Sequence, residues 1–505
     1  MIKLGLISHA LMVLMPSSNA LATPKCEKLD LCIIGGGASG LSAAITSASS
    51  LSAMSSSSAA INVNSSTAAS KIVVLEAQPT VGGRVSSDII NGYTFDRGFA
   101  VFIDQYPQSK EMFDYEALQL KPFEPGAMIK RENGLARVAD PLRQPGKLID
   151  AIVSPVGSLL DKVKLAPLLL HVRSNSIEEL FLEDEVDTLS CLQNKYKFSD
   201  KMIQEFFEPF LTGIYFAPLN QQSSRMFHFV FKMFSEGSAT LPTGGMQAAS
   251  DQMMRKAQKS GVDVRVSTPV SDVKMAKDGS FDINIIGGEQ ISAKSVICAT
   301  EGPVATKLLA GIDGLGHLAD TEQQPQQSVG SVYYSFRGEA PVNDAILVLN
   351  GVGKDSSSRS GLINVVVFPH VCNQSYAPEG YGLCSVSISG TIMDEYSGRH
   401  DELDEDVRAQ LSEWFPEFAV RIKDEWKLEK TYKIVNAQPG QLKGPFPASA
   451  HGGRDSKKVG GIDLPPGLFV CGDHMATATL NGAIESGINA ANASYLFLSK
   501  KKVMT

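Results

Sequence analysis

Short apolar runs, each stopped by glycine or a single carboxylate, punctuate this chain. Leu31-Cys32-Ile33-Ile34 reads as a buried strand and runs straight into Gly35-Gly36-Gly37-Ala38-Ser39-Gly40. A small-residue helix, Leu41 to about Ala48, follows it. From Thr46 to Ser70 the chain turns to serine and alanine, with few large apolar residues to hold a core; this predicts an exposed insertion in a connection. Strand character returns at Ile72-Val73-Val74-Leu75 and stops at Glu76. Residues about 106–244 carry helical spacing, with Ser199 capping a run to Phe210 and a second helix at Ser223–Phe234. Residues 245–305 read as helix, strand (Val262–Val266), hairpin-like strands and then "SVICAT". Alternation in Ser331–Phe336 and Cys384–Ser389 makes 320–440 strand-rich. The last segment repeats the opening logic: strand Leu468–Cys471, turn Gly472-Asp473, then a helix from about Asn481.

The strand–glycine–helix junction carries the first chemistry. In Gly35-x-Gly37-x-x-Gly40, the first glycine makes the tight turn, the second admits a pyrophosphate, and the third lets helix pack on strand. The helix start at Ala38 and Ser39 offers free N–H groups and the positive dipole end to phosphate. Glu76 ends the next strand, where a carboxylate accepts hydrogen bonds from a ribose. It lies further from Gly40 than the usual ~20 residues, and the Ser-rich insertion accounts for the surplus. Gly82-Gly83-Arg84 then exposes backbone beside a guanidinium suited to a pyrophosphate or a flavin carbonyl. Near the end, Asp473 after Gly472 suits a ribityl hydroxyl. The helix opening Gly482-Ala483-Ile484-Glu485-Ser486-Gly487 directs its dipole at the pyrimidine end of a flavin.

These four motifs, in this order, resemble the flavin-containing amine oxidase superfamily, which includes amine oxidases, protoporphyrinogen oxidase and phytoene-desaturase-like enzymes. The resemblance covers residues 30–495, and Glu76 to Ser87 (E-x5-G-G-R-x-x-S) is its most specific part. It implies an α/β fold: an FAD-binding Rossmann-like domain with an inserted α+β substrate domain. Residues 30–105, 245–305 and 455–500 would form the discontinuous FAD-binding domain, and 106–244 and 306–454 the substrate domain. By the same resemblance Val270 contacts adenine through backbone, "VICAT" (296–300) packs beside the cofactor, and Asp96 and Gly98 lie under the flavin. No late Ser-Gly-Gly-Cys string occurs, so the FAD is expected to be noncovalent. Gln78 replaces an arginine common after the family's glutamate. No amine-sandwiching aromatic pair is recognisable in "GDHMATATL", whereas "FFEPFLTGIYF" and "FKMFSEGSATLPTGGMQ" are similar to desaturase-like members. The expected reaction is therefore oxidation or desaturation of a small apolar substrate, with oxygen or a quinone as final electron acceptor. His474 is a weak candidate for catalysis, equally readable as a histidine bonded to nearby backbone; Arg97 and Tyr93 read better as a salt-bridged arginine and a core tyrosine. The rivals are an amine or polyamine oxidase, a redox-neutral polyene isomerase, and a non-enzymatic binding protein like the Rab GDP-dissociation inhibitors.

Composition narrows the partners. The 505 residues are 43% hydrophobic and 20% charged, which suits a globular chain and excludes wholesale disorder. With 46 basic and 54 acidic residues and no basic block except Lys500-Lys501-Lys502, nucleic acid is not an expected partner. None of the seven cysteines forms a C-x-x-C pair, so no metal site is expected from them; Cys32, Cys298 and Cys471 sit in apolar runs as buried thiols. Residues 1–24 have the anatomy of a secretory signal, or of the bipartite leader of an alga with complex plastids. Asn64, Asn373 and Asn492 stand in glycosylation sequons. Val156–Val172 spaces apolar residues as a helix interrupted by Asp161, Lys162 and Lys164; packing of the helical lobe explains it, and peripheral membrane contact is the sharper reading.

Overall fold

The computed structural model describes residues 27–59, 70–98, 101–140, 143–147, 149, 153–316, 324–352, 361–441, 455–459 and 462–504. The leader, Asn64 and the rest of residues 60–69 of the Ser-rich stretch lie outside them.

One sheet gathers the three separated stretches. Its strands are β1 (Glu27–Ile34), β2 (Ile72–Leu75), β3 (Asp263–Arg265), β4 (Val270–Met275), β5 (Phe281–Ile285), β6 (Gln290–Cys298) and β7 (Leu468–Val470). The order is β3-β2-β1-β6-β5-β4, with β7 also paired to β6. Pairing is parallel through β3, β2, β1, β6 and β7, and antiparallel through β5 and β4. Side chains alternate between two packed faces: Leu31 and Ile33 join one core cluster, Cys32 and Ile34 another. A parallel sheet covered on both faces needs such continuous apolar runs.

Helix α1 covers Ala38–Ala59, eleven residues beyond the expected end near Ala48, so the start of the Ser/Ala-rich stretch is helix and not exposed insertion. Alanine is the best helix former, and the serines satisfy themselves locally. Ser49 and Ser52 donate to the carbonyls of Ile45 and Ala48 at 3.0 and 2.7 Å, while Leu51 is buried.

The second sheet has seven strands, in the order 427–439, 326–337, 381–389, 363–367, 348–350, 126–131 and 134–139. The alternating run Ser331–Phe336 lies in the strand 326–337, of which Val329 to Phe336 is buried throughout. Val332, Tyr334 and Phe336 enter one core cluster and Tyr333 another, because flanking strands and helices cover both sides. The helical lobe includes α2 (Leu159–Ser174), α3 (Ile177–Leu182) and α4 (Ser224–Glu236). Ser158 with Asp161, and Ser176 with Glu179, form reciprocal capping boxes, and Ser223 caps α4. Helix α5 (Gln247–Lys259) follows, and α6 (Leu480–Met504) closes the chain. Among the described residues no helix is long and apolar enough to cross a membrane. Asn373 is buried and its amide donates to Leu241 O and Thr243 Oγ1, each at 3.2 Å, so that sequon is closed to glycosylation in the folded chain.

Candidate FAD site

Parallel register brings the ends of β1, β2, β6 and β7 to one edge, pairing Ile34 with Leu75 and Cys298, and Cys298 with Val470. Ligands of open α/β sheets bind outside such carboxyl ends. Here α1 begins directly after β1, and its first-turn N–H groups at Ala38, Ser39 and Gly40 have no carbonyl behind them. Gly35 has φ +109°, and a β-carbon on it would meet Ala299 O at 2.7 Å; on Gly40 it would meet Gly35 O at 1.9 Å. Gly37 differs in kind. Its β-carbon would meet nothing nearer than Gly82 O at 4.0 Å, so the space beside it is open. That is the clearance a pyrophosphate backbone contact needs.

The second glycine turn closes over the first. Gly82 N donates to Gly36 O at 2.9 Å, and Gly37 and Gly82 form a parallel bridge. Glu76 is buried; it accepts from Gly36 N at 2.6 Å and from Gln78 N at 2.8 Å, which fixes its carboxylate at the mouth of the loop. Thr268 N donates to Glu76 O at 2.8 Å, carrying the segment that enters β4 at Val270 alongside the same strand end.

Arg84 and Asp473, 389 residues apart, form a two-pronged ion pair at 2.7 and 2.8 Å. Arg84 also donates to Ala437 O at 3.1 Å. Burial disfavours its charge, but the Asp473 carboxylate outweighs that and raises its pKa. Two residues expected to act separately on a flavin thus hold each other across the chain. Gly472 N donates to Ser486 Oγ at 3.0 Å, tying the turn to α6. Helix α6 packs closely on α1 at Gly487, where a β-carbon would lie 2.1 Å from Ser42 Oγ and 2.2 Å from Ser39 O, and Ser42 Oγ donates across to Ile484 O at 3.1 Å. Both helix starts, including Ala483, therefore converge on the same edge. His474 is buried with its ring against Gly302 and Gly472, inside the turn.

Sequence reasoning passed over Gln441. Its side chain accepts from Ala478 N and donates to Ala476 O, both at 2.9 Å, clamping the "GDHMATATL" turn to the second sheet. A lone glutamine in a polar loop carries no sequence signal for this. Asp96, expected beneath the flavin, is buried and fully engaged. Its carboxylate accepts from Ser87 Oγ (2.5 Å), Met246 N (3.0 Å) and Tyr376 OH (2.8 Å), anchoring the start of α5. Burial raises its pKa against those three donors. Arg97 pairs with Asp88 at 2.7 Å, and Tyr93 is buried against Phe95. Cys32, Cys298 and Cys471 are fully buried, and burial pushes the Cys32 thiol up to about 12.

The model of the flavin-containing amine oxidoreductases matches residues 39–493. The chain belongs to that family. Its cofactor is FAD and it is an oxidoreductase, which removes the non-enzymatic reading. The open ground beside Gly37, the free N–H groups of α1 and the Glu76 carboxylate fit a dinucleotide. Similar solved structures share the fold. One is a protein assigned as a protoporphyrinogen oxidase from Exiguobacterium sp. 255-15 (17% identity, 93% of this chain and 99% of that one, TM-score 0.64). Another is an oxidoreductase from Methanosarcina mazei (15% identity, 92% and 100%, TM-score 0.64). A third is a putrescine oxidase double mutant with redesigned cofactor binding (15% identity, 93% and 99%, TM-score 0.64). No curated protein matches the sequence.

Proposed function

We propose that this flavoprotein oxidises or desaturates an uncharged, apolar organic substrate, with FAD held without a covalent bond. Bound FAD supplies the hydride acceptor. The observation that carries the reading is the lining of two small cavities among the described residues, in which no spare carboxylate stands. The first is lined by Tyr215, Ala217, Met226, Gln438, Pro439 and Gln441 among others, none of them charged. The second has aromatic and aliphatic walls, including Phe123, Leu241, Tyr333 and Val367, with Asp96 its one ionisable acid. Asp96 already has three donors, so no carboxylate is left to hold an ammonium group. Walls like those of the second cavity would exclude water around a reacting C–H bond, and Gln441 ties the Gly472–Thr479 turn to the second sheet.

The helical lobe adds a route for such a substrate. Leu160, Val163 and Leu170 stand on one exposed face of α2 at 65–70% exposure, with Leu159 beside them and Lys162 and Lys164 at the flanks. We read this face as a contact for a membrane surface. Anaerobic bleaching of the flavin by polyenes or porphyrinogens, with diamines inert, is the expected outcome of a substrate screen. Bleaching by diamines alone would replace the proposal with the amine oxidase reading.

A further inference from the structure

Away from the FAD site, the helical lobe gathers a second set of chemically competent side chains. His171 lies in the last turn of α2, Glu183 caps the end of α3, and His228 sits in the middle of α4. His171 Nε2 is 2.7 Å from Glu183 Oε1, and His228 Nδ1 is 3.1 Å from Glu183 Oε2. One ligand atom from each of the three lies within 4.8 Å of the other two. His228 is 1% exposed, and its Nδ1 is buried without an aligned hydrogen bond.

The contacts around this cluster bring an ammonium group, a carboxylate and an imidazole nitrogen together at one point. Lys195 Nζ lies 3.1 Å from both His171 Nε2 and Glu183 Oε2. If His171 Nε2 carries a proton, it donates to Glu183 but faces the ammonium; if it is bare, it accepts from Lys195 but faces the carboxylate. A metal ion bonded to both nitrogens and the carboxylate satisfies all three at once. The outer ring is already suited to that. Tyr196 OH lies 3.0 Å from His228 Nε2, which fixes the imidazole and leaves Nδ1 to point at Glu183. The Lys195 side chain is 44% exposed and free to swing into solvent.

We propose that His171, Glu183 and His228 form a site for a divalent transition metal, with Lys195 as the built-in cation that the metal displaces. Two imidazoles and a carboxylate suit Zn²⁺ and its neighbours and not Mg²⁺ or Ca²⁺, which take oxygen ligands. Water takes the fourth position once Lys195 leaves. The ion joins three helices of the lobe whose α4 also supplies Met226 to the wall of the first cavity.

The test is calorimetric titration of chelator-treated full-length protein with Zn²⁺, with melting temperature measured alongside and Mg²⁺ as control. One equivalent of Zn²⁺ is expected to bind and raise the melting temperature, while Mg²⁺ does neither. His171→Gln and His228→Gln should each weaken binding on the order of 100-fold, with flavin content unchanged. His171 is partly exposed, so His171→Gln decides the matter if the buried variant fails to fold. Lys195→Met should tighten binding about tenfold, because the competing ammonium is gone. No stoichiometric uptake, or uptake unaffected by His171→Gln, overturns the site; unchanged or weaker binding in Lys195→Met overturns the exchange.

Discussion

The glycine edge fitted for FAD and the helical lobe are built on different principles. At the edge, function is specified by backbone: glycines that clear space, strand ends in register, and helix starts with unpaired N–H groups. In the helical lobe the proposed metal site is specified by side chains from remote segments, where His171, Glu183 and His228 meet. Backbone devices leave local spacing in a sequence; convergent side chains leave none. The contrast teaches where single substitutions remove function alone and where they remove the fold as well.

The largest expected effects separate two glycines three residues apart. Gly37→Val should abolish FAD retention while the apoprotein stays folded, because its β-carbon enters open space. Gly40→Val should lose the fold itself, since its β-carbon would press on Gly35 O at 1.9 Å. Circular dichroism with flavin content distinguishes them; retained flavin in Gly37→Val would break the phosphate-loop assignment. Next comes Asp96→Ala, which strands three donors in the interior and should cost about 3 kcal/mol in urea unfolding. A loss below about 1 kcal/mol would mean that water replaces the carboxylate.

Glu76→Ala should weaken FAD by roughly tenfold, about 1.4 kcal/mol, less than Gly37→Val. Flavin titration measures it, and a larger loss than in Gly37→Val would reverse the ranking of backbone over side chain at this edge. The smallest effect is expected at the rim. Hydrogen bonds from Arg265 and Lys71 hold the Glu27 carboxyl down to about 2 against an ordinary 4.5. A depressed folded pKa gives stability that is present above the ordinary value and lost as pH falls from about 4.5 toward 2. Glu27→Gln should flatten the melting temperature across that window by a degree or two and leave it no less pH-dependent elsewhere.

The same contrast explains what could be read from the chain. The strand and helix around Gly35–Gly40, and Leu468 through the final helix, are local patterns and needed no partner to be recognised. The length of α1 was missed because serine-rich composition reads as loop, whereas Ser49 and Ser52 bond back to their own helix. Burial of 329–336 on both faces depends on strands about fifty and a hundred residues later, which alternation within the strand does not reveal. The Arg84–Asp473 pair and the His171, Glu183 and His228 cluster join residues that no spacing rule connects.

The central claim is that the glycine edge holds FAD noncovalently. Its most direct test is the absorbance spectrum of purified protein before and after denaturation. Oxidised-flavin bands that pass into the filtrate on denaturation are the predicted result. A colourless protein that stays empty after incubation with FAD would contradict the account.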